Sequence, residues 1–308
     1  MRFFHHTKYN FMGIRKIAAT ISITLIFISV VSLIIHGGPK YSVDFRGGTF
    51  MEIRFEDQNE PEKPLTVEIG KVRKVFSEYG LGNAEIKHYG SLQEISARVD
   101  LTENTDQVFH ELIDKLSKEF PGYKVIEMRK ETVGPKVGKE LVGNAIMAIL
   151  TSTILMLIYI RLRFKELRFG IGAVVALFHD VIITVGVFSV LNYEISIAIV
   201  AALLTVVGYS VNDTIVVFDR IRENLKLLKR QAFDYSTVIN QSINETLSRT
   251  IITSGTTILV VLVLYLFGGE VLKGFSFALL FGIIIGTYSS IYIASPILVE
   301  FENRKKIK

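Results

Sequence analysis

Apolar runs without charge alternate with short polar breaks along most of the chain, and one long polar stretch interrupts them. Ile17–Ile35 carries no charge over 19 residues, and Leu141–Ile160 none over 20, with Asn144 its only strongly polar side chain. Four further runs cover Phe169–Leu191, Ile195–Phe218, Thr250–Gly269 and Gly274–Val299. About 20 mostly apolar residues cross a hydrocarbon core as a helix, so the pattern predicts six spans. The first follows Arg2, Lys8, Arg15 and Lys16, as a signal peptide would. It is too long for a signal core, and no small-x-small cleavage site precedes Pro39, so an uncleaved anchor is expected.

The interruption, residues 36–136, reads as a soluble domain. Asp44–Phe55 ends in alternation, with Phe50, Glu52 and Arg54 opposing Met51, Ile53 and Phe55, as a strand requires. Gln58–Pro64 is a polar loop, and Val67, Val72, Val75, Phe76 and Tyr79 mark an amphipathic helix stopped at Gly80 and Gly82. Ala84–Tyr89 and Gln93–Val99 form a hairpin turning at Gly90-Ser91. A second helix opens near Thr105, with Val108, Leu112, Ile113 and Leu116 on its apolar face, and stops before Pro121-Gly122. Tyr123–Val133 completes the order β-α-β-β-α-β, the ferredoxin-like arrangement. The predicted fold is therefore an all-α bundle of six transmembrane helices (residues 1–35 and 137–303) carrying an α+β ferredoxin-like domain. A polar segment at 220–248 and a basic tail at 304–308 complete the chain.

Charge orients this arrangement. The formal net charge is +5, divided as −3 in residues 36–136 and +8 elsewhere. Basic residues cluster before the first span, at Arg161–Arg168, at Arg220–Arg230 and at Arg304–Lys308, whereas the Asn192–Glu194 loop has none. By the positive-inside rule both termini are cytoplasmic and residues 36–136 extracytoplasmic, in the inner membrane. A basic excess confined to the hydrophobic part favours contact with membrane lipid and makes nucleic-acid binding a poor second. No cysteine is present, so disulfides, thiolate metal sites and thiol nucleophiles are excluded. No cluster has metal-ligand spacing, His5-His6 included, and no phosphate-binding Gly-x-x-x-x-Gly-Lys-Ser/Thr motif occurs. Neither an enzyme nor an ATP-driven machine is expected, and no cofactor.

Polar side chains within the spans carry the candidate chemistry. Asn212 and Asp213 lie inside the fourth run, where a carboxylate costs about 2.5–3.5 kcal/mol on insertion scales. Thr205, Tyr209, Asn212, Asp213 and Arg220 fall along one side of that helix at helical spacing, and Arg249, Thr253, Thr256 and Thr257 repeat the pattern in the fifth. Burial makes a carboxylate hold its proton and an approaching guanidinium makes it let go, so Asp213 with Arg249 is a route to proton binding coupled to helix motion. Two plainer readings stand beside it: an Asp reaching interfacial water, about two turns from Asp219, and an Arg snorkelling to phosphate. His179-Asp180 in the third span serves either a proton path or helix packing, and Asn144 and Tyr209 could hold water nearby. Gly282-x-x-x-Gly286 suits close helix packing, and Asp44-Phe45-Arg46-Gly47-Gly48-Thr49 reads as a structural joint, with substrate contact the minority view.

Four stretches, Gly208–Asn224, Val43–Thr49, Phe178–Val181 and Thr246–Ser254, resemble the motifs of the SecD/SecF family of protein-export membrane proteins, in order and spacing over nearly the whole chain. That resemblance implies one half of a transporter of the resistance-nodulation-division (RND) type, completed to twelve spans by SecD. It implies Asp213 and Arg249 as the proton relay, the proton as coupling ion, and an exported polypeptide as substrate. Further implied partners are the SecY, SecE and SecG channel, with YajC and YidC. An RND-type small-molecule exporter half and a non-transporting scaffold are the alternatives. The topology is checked by single cysteines in this cysteine-free chain: those at Ser91 and Asn192 should react with an impermeant thiol reagent added outside sealed cells, and those at Lys165 and Gln231 should not. Labelling at Lys165 would overturn the six-span orientation.

Overall fold

A computed structural model describes residues 8–60, 65–164, 166–227 and 234–307, with 303–307 described by backbone alone. Arg2, His5, His6, Pro64, Lys165, Lys229, Arg230, Gln231 and Lys308 lie outside the described residues, as do the side chains of Arg304, Lys305 and Lys306. The chain divides into two compact units, residues 41–146 and residues 1–40 with 147–308. The sequence reading had placed the edges of the first at 36 and 136.

In the unit of residues 41–146, strands β1 (Gly48–Asp57), β2 (Glu85–Tyr89), β3 (Ser91–Val99) and β4 (Tyr123–Val133) form one antiparallel sheet in the order β2-β3-β1-β4. Helices α3 (Ile69–Glu78) and α4 (Thr105–Glu119) are the two crossovers, and this is the ferredoxin-like topology. Met51, Ile53 and Phe55 face the core as the alternation predicts, against Val72, Val75 and Phe76 of α3 and Phe109, Leu112 and Leu116 of α4. On α4 the buried stripe is 109-112-116, one residue from the predicted one, so Val108 and Ile113 are only half-buried. Phe109 is the larger ring, and the helix rotates to bury it.

The Asp44–Thr49 motif forms a short helical turn followed by the glycine pair. Val43–Arg46 is a single helical turn, α2, whose first turn is capped when Ser42 Oγ accepts from the Asp44 amide at 3.3 Å. Gly47 and Gly48 then adopt φ of 82° and 107°, and a Cβ on Gly48 would lie 2.6 Å from the Val99 carbonyl. Both requirements exclude any residue with a side chain. Phe45 is buried, and Thr49 Oγ1 donates to the Leu101 carbonyl at 2.6 Å. Each feature of the motif is that of a joint.

The six expected spans are helices α1 (Arg15–Ile35), α5 (Pro135–Arg163), α6 (Leu167–Val190), α7 (Ile197–Leu227), α8 (Tyr235–Phe267) and the pair α9 (Gly269–Ser289) and α10 (Ser295–Ile307). The polar segment at 220–248 is no separate element among the described residues: α7 and α8 extend into it from either side. Likewise the helical backbone of α10 runs into the basic tail. A π turn, Ser290–Ala294, joins α9 to α10, and Ser295 Oγ donates to the Ser290 carbonyl five residues earlier at 2.8 Å. Half or more of the apolar windows of α6, α7 and the α9 span are buried, against 0% for α5 and 17% for α8. The former therefore form the interior of this unit.

Residues 41–133 expressed alone should fold as a soluble α+β domain indifferent to chelators, as read by circular dichroism and denaturant titration. Phe76→Ala in that fragment should cost about 3–5 kcal/mol, because a fully buried ring leaves a cavity in a two-layer core; a cost below 1 kcal/mol would contradict the packing.

Candidate functional site

Glycine lets the interior helices approach. A Cβ on Gly282 would meet the Val206 side chain at 2.4 Å, and one on Gly286 would meet Ser210 Cβ at 3.0 Å, so the small face of α9 lies directly on α7. The same device brings α1 to α6, where a Cβ on Gly186 would sit 2.0 Å from Ser29 Oγ. Backbones this close place short hydroxyl side chains of one helix within reach of carboxylates on the next.

Asp213 is 6% exposed and faces this interior. Ser254 of α8 donates to its Oδ2 at 3.0 Å, Thr287 of α9 lies at 3.4 Å, and Thr287 Oγ1 is 2.8 Å from Ser254 Oγ. Three helices thus converge on one carboxylate. The predicted partner, Arg249, is exposed on α8, and among the described residues it makes no ion pair with Asp213; its charge acts there only through space. Arg249 lies five residues, roughly 7–8 Å, before Ser254 along the helix.

The polar side predicted for α7 is divided in the structure. Asp213 turns inward with Ser210 and Thr214, whereas Thr205, Tyr209 and Asn212 are exposed. Residues 212 and 213 are adjacent, hence about 100° apart, so one faces out when the other faces in. The α8 row stays together, with Arg249, Thr253 and Thr256 exposed and Thr257 half-buried, while the inward face carries Thr250 and Ser254, which lie outside it. Where α7 and α8 meet at one end, Val216, Arg220, Glu245, Thr246 and Arg249 line part of a cavity of about 460 Å³. The exposed rows run on from Val216 and Arg249 by helical spacing. Arg220 bridges Glu223 and Glu245 at 2.6 Å each, and Arg163 and Arg222 share Asp219, so Arg220 and Arg222 of the basic run are paired. Asn144 is exposed on α5.

His179 and Asp180 are buried together, with His179 Nδ1 2.8 Å from Asp180 Oδ1. Ser210 of α7 and Ser289 of α9 both donate to Asp180 Oδ2, at 2.5 and 2.8 Å. Sequence reasoning missed Ser22, Ser210, Ser254, Thr287 and Tyr288 as members of these sites. The signal available was hydroxyl residues recurring inside apolar runs, and which carboxylate each meets depends on helix pairing.

Residues 113–304 match the family model described as protein export membrane protein SecD/SecF, C-terminal. The chain belongs to the SecD/SecF family. It is 44% identical to the protein translocase subunit SecF of Rhodothermus marinus over 99% of this chain and 96% of that one. It is 43% identical to the Vibrio alginolyticus subunit of the same name, over 96% and 91%. The crystal structure of SecDF from Thermus, described as a translocon-associated membrane protein, matches 96% of this chain with a TM-score of 0.84 and 39% identity. This chain spans 39% of that SecDF chain and 40% of SecDF in a super-membrane-facing form, where the TM-score is 0.71. With six helices long and apolar enough to cross a bilayer, this member of the SecD/SecF family is a multi-pass membrane protein.

The tight contact of α7 with α9 is open to test. Gly286→Leu should destabilise the detergent-solubilised chain by about 1–3 kcal/mol through overpacking. Gly170→Ala, where a Cβ meets nothing within 4 Å, should leave the thermal unfolding midpoint unchanged or raise it. Equal behaviour of the two variants would contradict the packing at Gly286.

Proposed function

We propose that this chain is an accessory subunit of the Sec translocase, pairs with a SecD-type partner in the cytoplasmic membrane, and uses proton movement through the bundle to promote polypeptide export. It acts as a conformational device rather than an enzyme, with the proton as its coupling ion and no cofactor. Both termini are cytoplasmic, and the ferredoxin-like domain meets the exported chain, or the partner domain that does, on the outer side.

The observation that carries this reading is Asp213: a carboxylate inside an apolar span, held by hydroxyls from two other helices, with the exposed Arg249 guanidinium, which makes no ion pair among the described residues, on the neighbouring helix. Hydroxyls donate to an ionised carboxylate and accept from a protonated one, so Ser254 suits either form. Movement of α8 along α7 brings Arg249 towards Asp213 or away, and each position favours one protonation state. A proton crossing the membrane potential releases about 2.3 kcal/mol per 100 mV, so a few protons bias a two-state bundle decisively. The exposed rows Thr205–Tyr209–Asn212 and Arg249–Thr253–Thr256 support the partner, because in hydrocarbon such rows face protein or a watered path rather than lipid.

Asp213→Asn, which keeps size and fixes the side chain neutral, should leave assembly with the SecD-type partner intact and abolish proton-dependent stimulation of export in membrane vesicles. Asp213→Glu should retain part of it, and Arg249→Lys should be damaging if the planar fork engages the carboxylate. A scaffold predicts instead a harmless Asn, since an amide satisfies the same hydroxyls. An Asp213→Asn chain that assembles and supports full proton-dependent export overturns the reading.

A further inference from the structure

The second buried carboxylate is built to accommodate a proton as well as a charge. Asp180 is 1% exposed and His179 3%. His179 Nε2 is 3.1 Å from Ser22 Oγ of α1, Ser22 is 3.1 Å from the Tyr288 hydroxyl of α9, and that hydroxyl donates to the Ala18 carbonyl at 2.8 Å. On the other side, Ser210 and Ser289 reach Asp180 Oδ2, and Ser289 Oγ also lies 3.0 Å from the Gly286 carbonyl. The contacts form one unbroken chain from Ala18 to Gly286 through both ring nitrogens and both carboxylate oxygens.

Each end of that chain has a partner for either protonation state. Ser289 has a single hydroxyl proton. With Asp180 ionised, Ser289 donates to it. With Asp180 protonated on Oδ1, the acid proton goes to His179 Nδ1 and Ser289 still donates to Oδ2; with the proton on Oδ2, it goes to Ser289 Oγ, and Ser289 turns its own to the Gly286 carbonyl. At the imidazole end, Ser22 donates to Nε2 of the neutral ring. When the ring is doubly protonated, Nε2–H donates to Ser22, Ser22 to Tyr288, and Tyr288 to the Ala18 carbonyl. No buried polar atom of the chain is orphaned in either state, a property that a carboxylate kept only for packing does not need.

We propose that the His179–Asp180 pair takes up and releases a proton in place, and is a second proton-handling centre whose state reaches Asp213 through α7 and α9. The inference rests on the reading of Asp213 above. A proton arriving at Nε2 makes an imidazolium beside a carboxylate. Transfer from Nδ1 to Oδ1 then leaves both neutral, with no bond between heavier atoms made or broken. Ser210 precedes Asp213 by three residues on α7, and Ser289 follows Thr287 by two on α9, so both carboxylates hold the same two helices. The π turn begins directly after Ser289, where a helix has room to change register. Among the described residues, Tyr288 is the other titratable group facing the pair, its ring stacked 6.1 Å from that of His179. The groups α1 and α7 present to it are Ser22 and Ser210, with Asp213 one turn on, and Glu302 of α10 pairs with Arg168 at the start of α6.

Two measurements on the full chain with its partner test this. In wild-type protein in nanodiscs scanned from about pH 8 to pH 5, the ¹⁵N resonances of His179, assigned by their loss in His179→Gln, should exchange a form with Nε2 unprotonated for one protonated at Nε2. A His179 signal that stays in one form throughout overturns the proposal. In vesicles, Asp180→Asn should assemble and lose the pH dependence of export over that range, whereas a packing role predicts an unchanged profile, because the amide satisfies the same serines. An unchanged profile in an assembled Asp180→Asn complex likewise overturns it. If Asp213→Asn retains proton-dependent export, the reading of Asp213 fails separately, and the His179 titration still decides this one.

Discussion

A carboxylate placed in a membrane span has to find its hydrogen-bond donors inside the protein, because the hydrocarbon offers none. This chain has two, Asp180 and Asp213, and the arrangement of its interior follows from supplying them. Donors come from α7, α8 and α9, and they are serine and threonine hydroxyls, whose short reach requires the helix backbones to lie close together. Gly282 and Gly286 permit that approach for α7 and α9, as Gly186 does for α1 and α6. In a bilayer, where apolar contact between helices gains little over contact with lipid, close packing and interhelical hydrogen bonds are what hold a bundle together. The same contacts thus stabilise the bundle and, under the proposed function, prepare the carboxylates for a proton.

Hydroxyl donors are also what makes the sites reversible. An arginine locked onto Asp213 would hold it ionised, whereas Ser254 serves both forms, and Arg249 stands apart on the outer side of α8. That position leaves Arg249 as an element able to change the state of Asp213 when helices shift. The polar rows beside it, Thr205–Tyr209–Asn212 and Thr253–Thr256, mark the bundle as unfinished on that side. Under the proposed function, the SecD-type partner completes it there, so that proton path and subunit interface share a wall.

The ferredoxin-like unit uses a different physics. Its stability comes from burying Met51, Ile53, Phe55, Phe76 and Phe109 away from water, about 1.5–3 kcal/mol for each large side chain. In the Asp44–Thr49 motif two glycines take positive φ, and a Cβ on Gly48 would lie 2.6 Å from the Val99 carbonyl of β3.

What the sequence by itself determined was everything that depends on periodicity or on length. Six long apolar runs are six helices because the bilayer sets their length, and alternation at 50–55 assigned the inward face of β1, because a strand repeats every two residues. The buried Asp213 was legible too, since an ionisable group in an apolar run must be satisfied somewhere. Only the tertiary structure decided by what. Periodicity placed Asn212 and Asp213 on one broad side, and packing separated them, because neighbours on a helix point about 100° apart and only one can face the core. Arg249, at the mouth of the fifth span, was the countercharge the sequence pointed to, yet the donors are Ser254 and Thr287, which carry no charge to announce them. Five hydroxyl residues scattered over α1, α7, α8 and α9 become members of two sites only when the helices pair. Pairing depends on which small residues meet across an interface, and a pattern along one chain does not record that.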